Sequence, residues 1–186
     1  MMAITLFPIW WSITRRVGFI SYAGAGLGCL LFGASSRRSR PGSRAAIARL
    51  AGIVSLIEFI LALDMAFEWR ISLHNFWGDM FMKYNLYGRR HTIQLELLFA
   101  LTCILVFTLS YAFRRFWARK GLFLAVCALA GSCTLWLMEV ISLHETDSAL
   151  YHLVNGIMVI AFLWVVACSL TLLGVGMEVQ SAARES

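Results

Sequence analysis

The chain has little charge and almost no proline. Of its 186 residues only 14% are Asp, Glu, Lys or Arg, two are proline and 60% are hydrophobic, and the mean hydropathy is +0.76. Soluble globular domains are roughly half apolar and about a quarter charged. A soluble domain is therefore excluded, and the composition is that of an integral membrane protein.

Several chemical motifs are also missing. The sequence has no CxxC pair, no CxxCH, no Walker loop and no HExxH motif. Their absence argues against a thiol oxidoreductase of the CxxC type, covalent haem attachment, a P-loop nucleotide site and a zinc protease. The five cysteines lie in apolar runs, and we interpret them as small buried apolar residues. They are Cys29, Cys103, Cys127, Cys133 and Cys168.

Long apolar runs are what the chain does have. Five of them approach or exceed the roughly 20 residues that a helix needs to cross a hydrocarbon core about 30 Å thick. The predicted spans cover 17–34, 50–73, 92–113, 121–143 and 153–176. Backbone groups in lipid must be hydrogen-bonded within the segment, which favours helices. We predict an all-α integral membrane protein with one transmembrane domain, residues 1–186, built as a five-helix bundle.

Two shorter segments flank these spans. Residues 1–13 are too short to cross a bilayer and contain Trp10 and Trp11, which predicts an interfacial helix. The segment between the second and third spans mixes aromatic and charged residues, which predicts an amphipathic outer segment. Small residues in the run Gly24 to Gly28, and again at Gly174 and Gly176, favour close helix contacts.

The distribution of basic residues predicts the orientation. The loop 35–49 has five arginines and no acid, and the loop 114–120 is also basic without an acid. With the N-terminus outside and the C-terminus in the cytoplasm, ten of the sixteen Lys and Arg residues lie inside. We therefore interpret the net charge of +6 as a topology signal, not as a nucleic-acid surface. A bacterial inner membrane is the expected location.

All four histidines fall at predicted outer helix ends. His74 and His144 each close an Ile-Ser-Leu-His tetrapeptide, and His91 and His152 begin the third and fifth spans. Imidazole is the commonest side-chain ligand of zinc, copper and iron, and facing helices can supply two axial ligands to a haem. The pattern predicts a metal ion or b-type haem held by these histidines together with Asp147.

Acidic residues form a predicted second layer below the histidines, made of Glu68, Glu96 and Glu139, with Tyr151. Glu139 and His144 are five residues apart, roughly 140° around a helix, so they cannot share one ion without distortion. A structural alternative pairs Asp64, Glu68 and Glu96 with Arg70, Arg89 or Arg90 at the membrane interface.

Two further acids lie deeper in the second span, at Glu58 and Asp64. Intramembrane acids normally face the bundle interior and a partner. Both are therefore expected to contribute to a polar interior.

The sequence leaves three functions open. The first is metal or haem binding in a redox or metal-handling role, and the second is a non-catalytic accessory subunit of a larger membrane complex. The third is a lipid- or quinone-binding protein or a proton-coupled carrier that uses the intramembrane acids. Membrane lipids and other membrane subunits, or a second copy of the chain, are the expected partners. No motif indicates a reaction, so catalytic residues are not assigned.

Overall fold

The computed structural model describes residues 3–35, 41–155 and 157–184. The described part contains seven helices and one short hairpin. The helices are α1 (Ala3–Ser35), α2 (Pro41–Phe67), α3 (Trp69–Lys83), α4 (Arg90–Phe116), α5 (Lys120–Ile141), α6 (His144–Leu150) and α7 (Val159–Arg184). The strands are β1 (Leu153–Val154) and β2 (Ile157–Met158). Arg37, Arg38 and Arg40 of the basic loop lie outside the described residues.

Five of the described helices are long and apolar enough to cross a membrane. The segments are Ser12–Ser35, Ala45–Phe67, Tyr87–Phe116, Lys120–Ile141 and Val159–Arg184. This confirms the prediction of a multi-pass integral membrane protein built from helices.

The bundle is centred on α1 and α7. Helix α1 packs against α2 and α7, and α5 packs against α7 and α4. Trp164 of α7 is fully buried in a cluster with Tyr22 and Met65, and a second cluster joins Cys29 to Val175. Helix α4 packs mainly on α5 and leaves most of its apolar side chains exposed. Lipid tails are as apolar as these side chains, so α4 forms the lipid-facing margin of the bundle.

Glycine brings α5 and α7 into backbone contact. A Cβ on Gly174 would lie 2.5 Å from the backbone nitrogen of Ala125, and one on Gly121 would lie 2.6 Å from the carbonyl oxygen of Gly174. No side chain fits in that space, so both positions require glycine. The predicted contact role is also confirmed for Gly26 and Gly28, where a Cβ would meet side chains of α2 and α7 within 3.2 Å.

Other small residues of these runs are less crowded. A Cβ on Gly176 would lie 3.4 Å from the Phe32 ring, which is ordinary van der Waals contact. At Gly24 a Cβ would meet nothing within 4 Å, so the contact prediction is wrong there.

The second span ends earlier than predicted, at Phe67 instead of Leu73. Glu68 adopts the left-handed conformation (φ 57°, ψ 36°) and α3 begins at Trp69. The backbone N–H of Arg70 donates to Asp64 Oδ1 at 2.8 Å, which holds the new helix against the end of α2. A left-handed residue other than glycine costs about 1 kcal/mol or more, so these contacts must offset that cost.

The fourth and fifth predicted spans also differ at their ends. Helix α5 stops at Ile141 because Ser142 is left-handed (φ 48°). Leu153 to Met158, predicted as the start of the fifth span, instead contains β1 and β2, paired antiparallel. Asn155 has φ 52°, and Asn followed by Gly is the strongest short-range hairpin signal in a sequence.

From Ala3 onward, the described residues contain no separate interfacial helix before the first span. Residues 3–13 are the first part of the continuous helix α1, which runs on through the span without a break. The prediction of a distinct helix is therefore wrong. The predicted outer segment after the second span forms α3 and a short 3-10 turn, Tyr87–Arg89.

The bundle has two chemically different ends. One end, which we call the histidine end, is where α2 and α5 end and where α4 and α7 begin. Helices α3 and α6 also lie at this end. At the basic end α1, α4 and α7 finish and α5 begins, and there Arg119 of the α4–α5 loop pairs with Glu178 of α7. All four histidines belong to the first end.

Candidate functional site

The four histidines share one end of the bundle but differ in surroundings. His74, on α3, is half-buried, whereas His91 and His152 are exposed. The side chain of His144 lies outside the described residues. In the described ranges no three His, Cys, Asp or Glu side chains come together in a way that could hold a metal ion. His74 lines a cavity.

That cavity lies between α3, α4 and α5 and has a volume of about 230 Å³. Three polar side chains reach it, those of His74, Arg90 and Gln94. The remaining lining is apolar. It consists of Trp77, Gly78, Phe81, Ile93, Leu97, Val140 and Ile141. An apolar cavity with a few convergent polar groups is the usual form of a small-molecule site.

A backbone contact fixes the orientation of His74. Its Nδ1 lies 3.2 Å from the carbonyl oxygen of Val140, and because a carbonyl can only accept, Nδ1 carries the hydrogen. In the neutral ring Nε2 is then an acceptor, and Nη2 of Arg90 lies 3.5 Å from it. Helix spacing explains the placement, since His74, Gly78 and Phe81 follow one another along a single face of α3.

Gln94 joins α4 to the end of α5. Its Nε2 donates to the carbonyl oxygens of Ile141 at 2.8 Å and Ser142 at 2.9 Å. The last carbonyls of a helix have no partner within the helix, so a buried end requires such a donor. Arg90, one turn earlier, stacks its guanidinium 5.9 Å from the centre of the Tyr87 ring. Both side chains are thereby held in place around the cavity.

A second polar group lies in the interior of the bundle and is centred on Arg70. Nη1 of Arg70 is 2.5 Å from Asp64 Oδ2, and Nε is 3.2 Å from Glu139 Oε1. The guanidinium also lies 5.8 Å from the centre of the Trp164 ring. Burial lowers the pKa of Arg70, but Glu139 and Asp64 raise it by more, so the net shift is upward. Arg70 is therefore a permanent buried cation.

Tyr151 links this group to the surface at the histidine end. Its hydroxyl donates to Glu139 Oε1 at 3.2 Å. Burial, and next the negative charges of Glu139 and Asp147, raise the pKa of Tyr151 well above its ordinary value. The phenol therefore stays protonated and remains a donor. Asp147, predicted as a metal ligand, accepts a hydrogen bond from Ser142.

The other predicted acids are separated from this group. Glu68 is partly exposed and pairs with Arg15 at 2.5 Å. Glu96 is exposed on α4. Glu58 is fully buried deeper in the bundle, where the thiol of Cys168 donates to its Oε2 at 3.7 Å. Of the predicted second layer, Glu139 and Tyr151 are in direct contact.

Sequence reasoning missed the central role of Arg70, because the predicted orientation places this residue on the outer side of the membrane. The pairing alternative named Asp64 and Arg70 as possible partners, and this contact is present. Sequence patterns also do not single out Trp164 or Gln94. A lone Gln among apolar residues of a span was the available signal for Gln94, because such residues normally hydrogen-bond within the bundle.

The chain matches no protein-family profile, no curated protein and no solved structure.

Proposed function

We propose that this protein binds the head group of a membrane amphiphile, a quinone or a phospholipid, in the cavity between α3, α4 and α5. The observation that carries the proposal is the pairing of His74 and Arg90 at the edge of an otherwise apolar cavity. Arg90 offers guanidinium N–H donors to a carbonyl or phosphate oxygen. His74 Nε2 can accept a hydrogen bond from a hydroxyl group of the same head group.

The cavity volume supports a head group with an external tail. At about 230 Å³ the cavity is smaller than the roughly 300–1,000 Å³ typical of sites that enclose a whole small molecule. Leu97 lies on α4, whose outer face carries exposed apolar side chains. A hydrocarbon tail leaving the cavity along α4 would remain in lipid.

Metal or haem binding at the histidines stays a prediction, and the described contacts favour the amphiphile. A metal ion at His74 Nε2 would sit beside the Arg90 guanidinium, 3.5 Å away, and like charges repel. A role as an accessory subunit also stays a prediction, as does carriage of protons along the intramembrane acids.

The orientation and the membrane belong to the same proposal. We place the histidine end outside and the basic end in the cytoplasm, in a bacterial inner membrane, on the evidence of the basic loops. The cavity would then open near the outer surface of the bilayer, within reach of lipids and quinones.

Filling the cavity tests the proposal. Gly78 lines the cavity, and a Cβ there meets nothing within 4 Å, so we expect the side chain of Gly78→Leu to occupy part of the cavity. We expect the purified wild-type chain to retain a lipid or quinone, detected by native mass spectrometry, and Gly78→Leu to lose at least about tenfold in occupancy, or about 1.4 kcal/mol.

Gly52→Leu is the matched control, because Gly52 also has open space at its Cβ and lies on α2, away from the cavity. It should retain the wild-type occupancy. Identification of the extracted molecule distinguishes a quinone from a phospholipid. Equal occupancy in Gly78→Leu and the wild type, or a wild type that retains neither molecule, would contradict the proposal.

A further inference from the structure

The buried side chains of Asp64, Arg70 and Glu139, which we call the Arg70 group, comprise two acids and one base. The side chains of Asp64, Arg70 and Glu139 are each at most 2% exposed. With all three ionised, two carboxylates and one guanidinium sum to one negative charge. An unbalanced charge inside a protein costs several kcal/mol, far more than a neutral polar group. The group therefore favours one additional positive charge.

The groups that face it do not supply that charge. Tyr22 of α1, Met65 of α2 and Trp164 of α7 pack there and are neutral, and Tyr151, which follows α6, is a protonated phenol. Beyond Tyr151 lies Asp147, which is itself acidic.

Arg15 of the neighbouring helix α1 has a different carboxylate partner. Arg15 pairs with Glu68 at the surface and donates to the carbonyl oxygen of Met65 at 3.1 Å. The described contacts named here therefore bring no second positive charge to the group.

The two carboxyls are not equivalent. Asp64 accepts two bonds from Arg70, at 2.8 Å from the backbone nitrogen and 2.5 Å from Nη1. Glu139 Oε1 has longer contacts, at 3.2 Å to Arg70 Nε and 3.2 Å to the Tyr151 hydroxyl. Its Oε2 is buried and has no hydrogen-bond partner among the described residues. Both oxygens of Asp64 accept bonds from Arg70, whereas Glu139 has an oxygen that is open to a proton.

We propose that Glu139 is a proton-binding site, which holds one exchangeable proton and makes the buried group with Asp64 and Arg70 neutral. Tyr151 connects Glu139 to the histidine end, which is the side from which the proton enters and leaves. Hard metal cations commonly take six or more oxygen ligands, whereas Glu139 Oε2 is a single free carboxyl oxygen. This inference does not rest on the amphiphile cavity.

Infrared difference spectroscopy of the reconstituted full chain tests the site. The Glu58→Gln background removes a second buried glutamate that has an oxygen without a hydrogen-bond partner among the described residues. In that background we expect a protonated carboxyl band at neutral pH that shifts in deuterated buffer. The band should disappear in Glu139→Gln and persist in Glu96→Gln, a matched change of an exposed glutamate on α4.

Isotope labelling keeps the test independent of whether Glu139→Gln folds. Carboxyl-labelled glutamate should shift the band, and carboxyl-labelled aspartate should not. A band that follows the aspartate label would assign the proton to Asp64 and overturn the proposal. A band absent at every pH, or one lost on adding sodium at constant pH, would overturn it as well.

Discussion

Arg70 is a buried cation that contacts two carboxyl groups in the described interior. It lies two residues after a break between helices, yet its side chain is as buried as that of Trp164. The break at Glu68 turns α3 back over the end of α2, and this turn lets a residue from outside the span enter the bundle. A buried ion pair is costly to break, because removing one partner leaves the other charge uncompensated.

The charge balance predicts an order of stability among three neutral substitutions. Arg70→Gln leaves two buried carboxyls and should lower the unfolding free energy by about 3–5 kcal/mol. In Asp64→Asn, Glu139 can release its proton and balance Arg70, but two bonds to Arg70 are weakened, for about 1–3 kcal/mol. Glu139→Gln leaves the Asp64–Arg70 pair intact and should cost about 1 kcal/mol or less.

Thermal unfolding in detergent measures this order. Arg89→Gln is the control for loss of an arginine, because Arg89 is exposed, and it should be close to neutral. A Glu139→Gln chain as unstable as Arg70→Gln would show that Glu139 is an ionised partner whose charge is required.

Helices α5 and α7 approach each other closely enough for their backbones to meet. Gly121 and Gly174 allow the two backbones to meet, and at the basic end the Arg119–Glu178 ion pair joins the same elements. Close approach of backbones is a main source of helix association in lipid, where apolar side chains gain little by leaving the bilayer. This contact fixes the position of α5, and therefore of Glu139 and of the cavity wall at Val140.

Gly174→Ala should separate α5 from α7. The added methyl group would lie 2.5 Å from the nitrogen of Ala125, and backbone cannot move aside as a side chain can. We expect a loss of about 1–3 kcal/mol in unfolding free energy, the usual cost of overpacking. Gly131→Ala in α5, where a Cβ meets nothing within 4 Å, should be neutral or slightly stabilising. Equal melting temperatures for the two variants would contradict this packing.

For the whole molecule, polarity is distributed unevenly along the bundle. The Arg70 group, the cavity and all four histidines belong to one end, while the cluster from Cys29 to Val175 is apolar. The opposite end carries basic residues of the α4–α5 loop. The molecule therefore presents two surfaces of different chemistry to the two sides of the membrane.

Cysteine labelling tests the proposed orientation. Asp79→Cys on α3 and Ala118→Cys between α4 and α5 place exposed thiols at opposite ends. With the histidine end outside, a membrane-impermeant maleimide should label Asp79→Cys in intact cells and Ala118→Cys after permeabilisation. The wild-type chain is the control, because any labelling of it comes from its five native cysteines. The reverse pattern would invert the orientation.

The membrane class and the approximate spans could be predicted because they depend on long apolar runs. The helix ends could not, because they depend on left-handed residues such as Glu68 and Ser142, types that do not signal this conformation. The four histidine positions share one end of the bundle, but the described side chains of His74, His91 and His152 differ in burial, which depends on how α3 folds back. The site around Arg70 escaped prediction because a cation next to an apolar run ordinarily remains at the membrane surface.

The short sequence separation within the Asp64–Arg70 pair has a consequence for how the chain enters the bilayer. The two residues are six positions apart, so the pair can close within α2 and α3 alone, before α5 has been synthesised. The second span can thus be inserted with its acid already neutralised by a local partner. Glu139 has no such neighbour in α5 and meets Arg70 only when the bundle assembles. A proton is the counter-charge that can accompany it into the membrane.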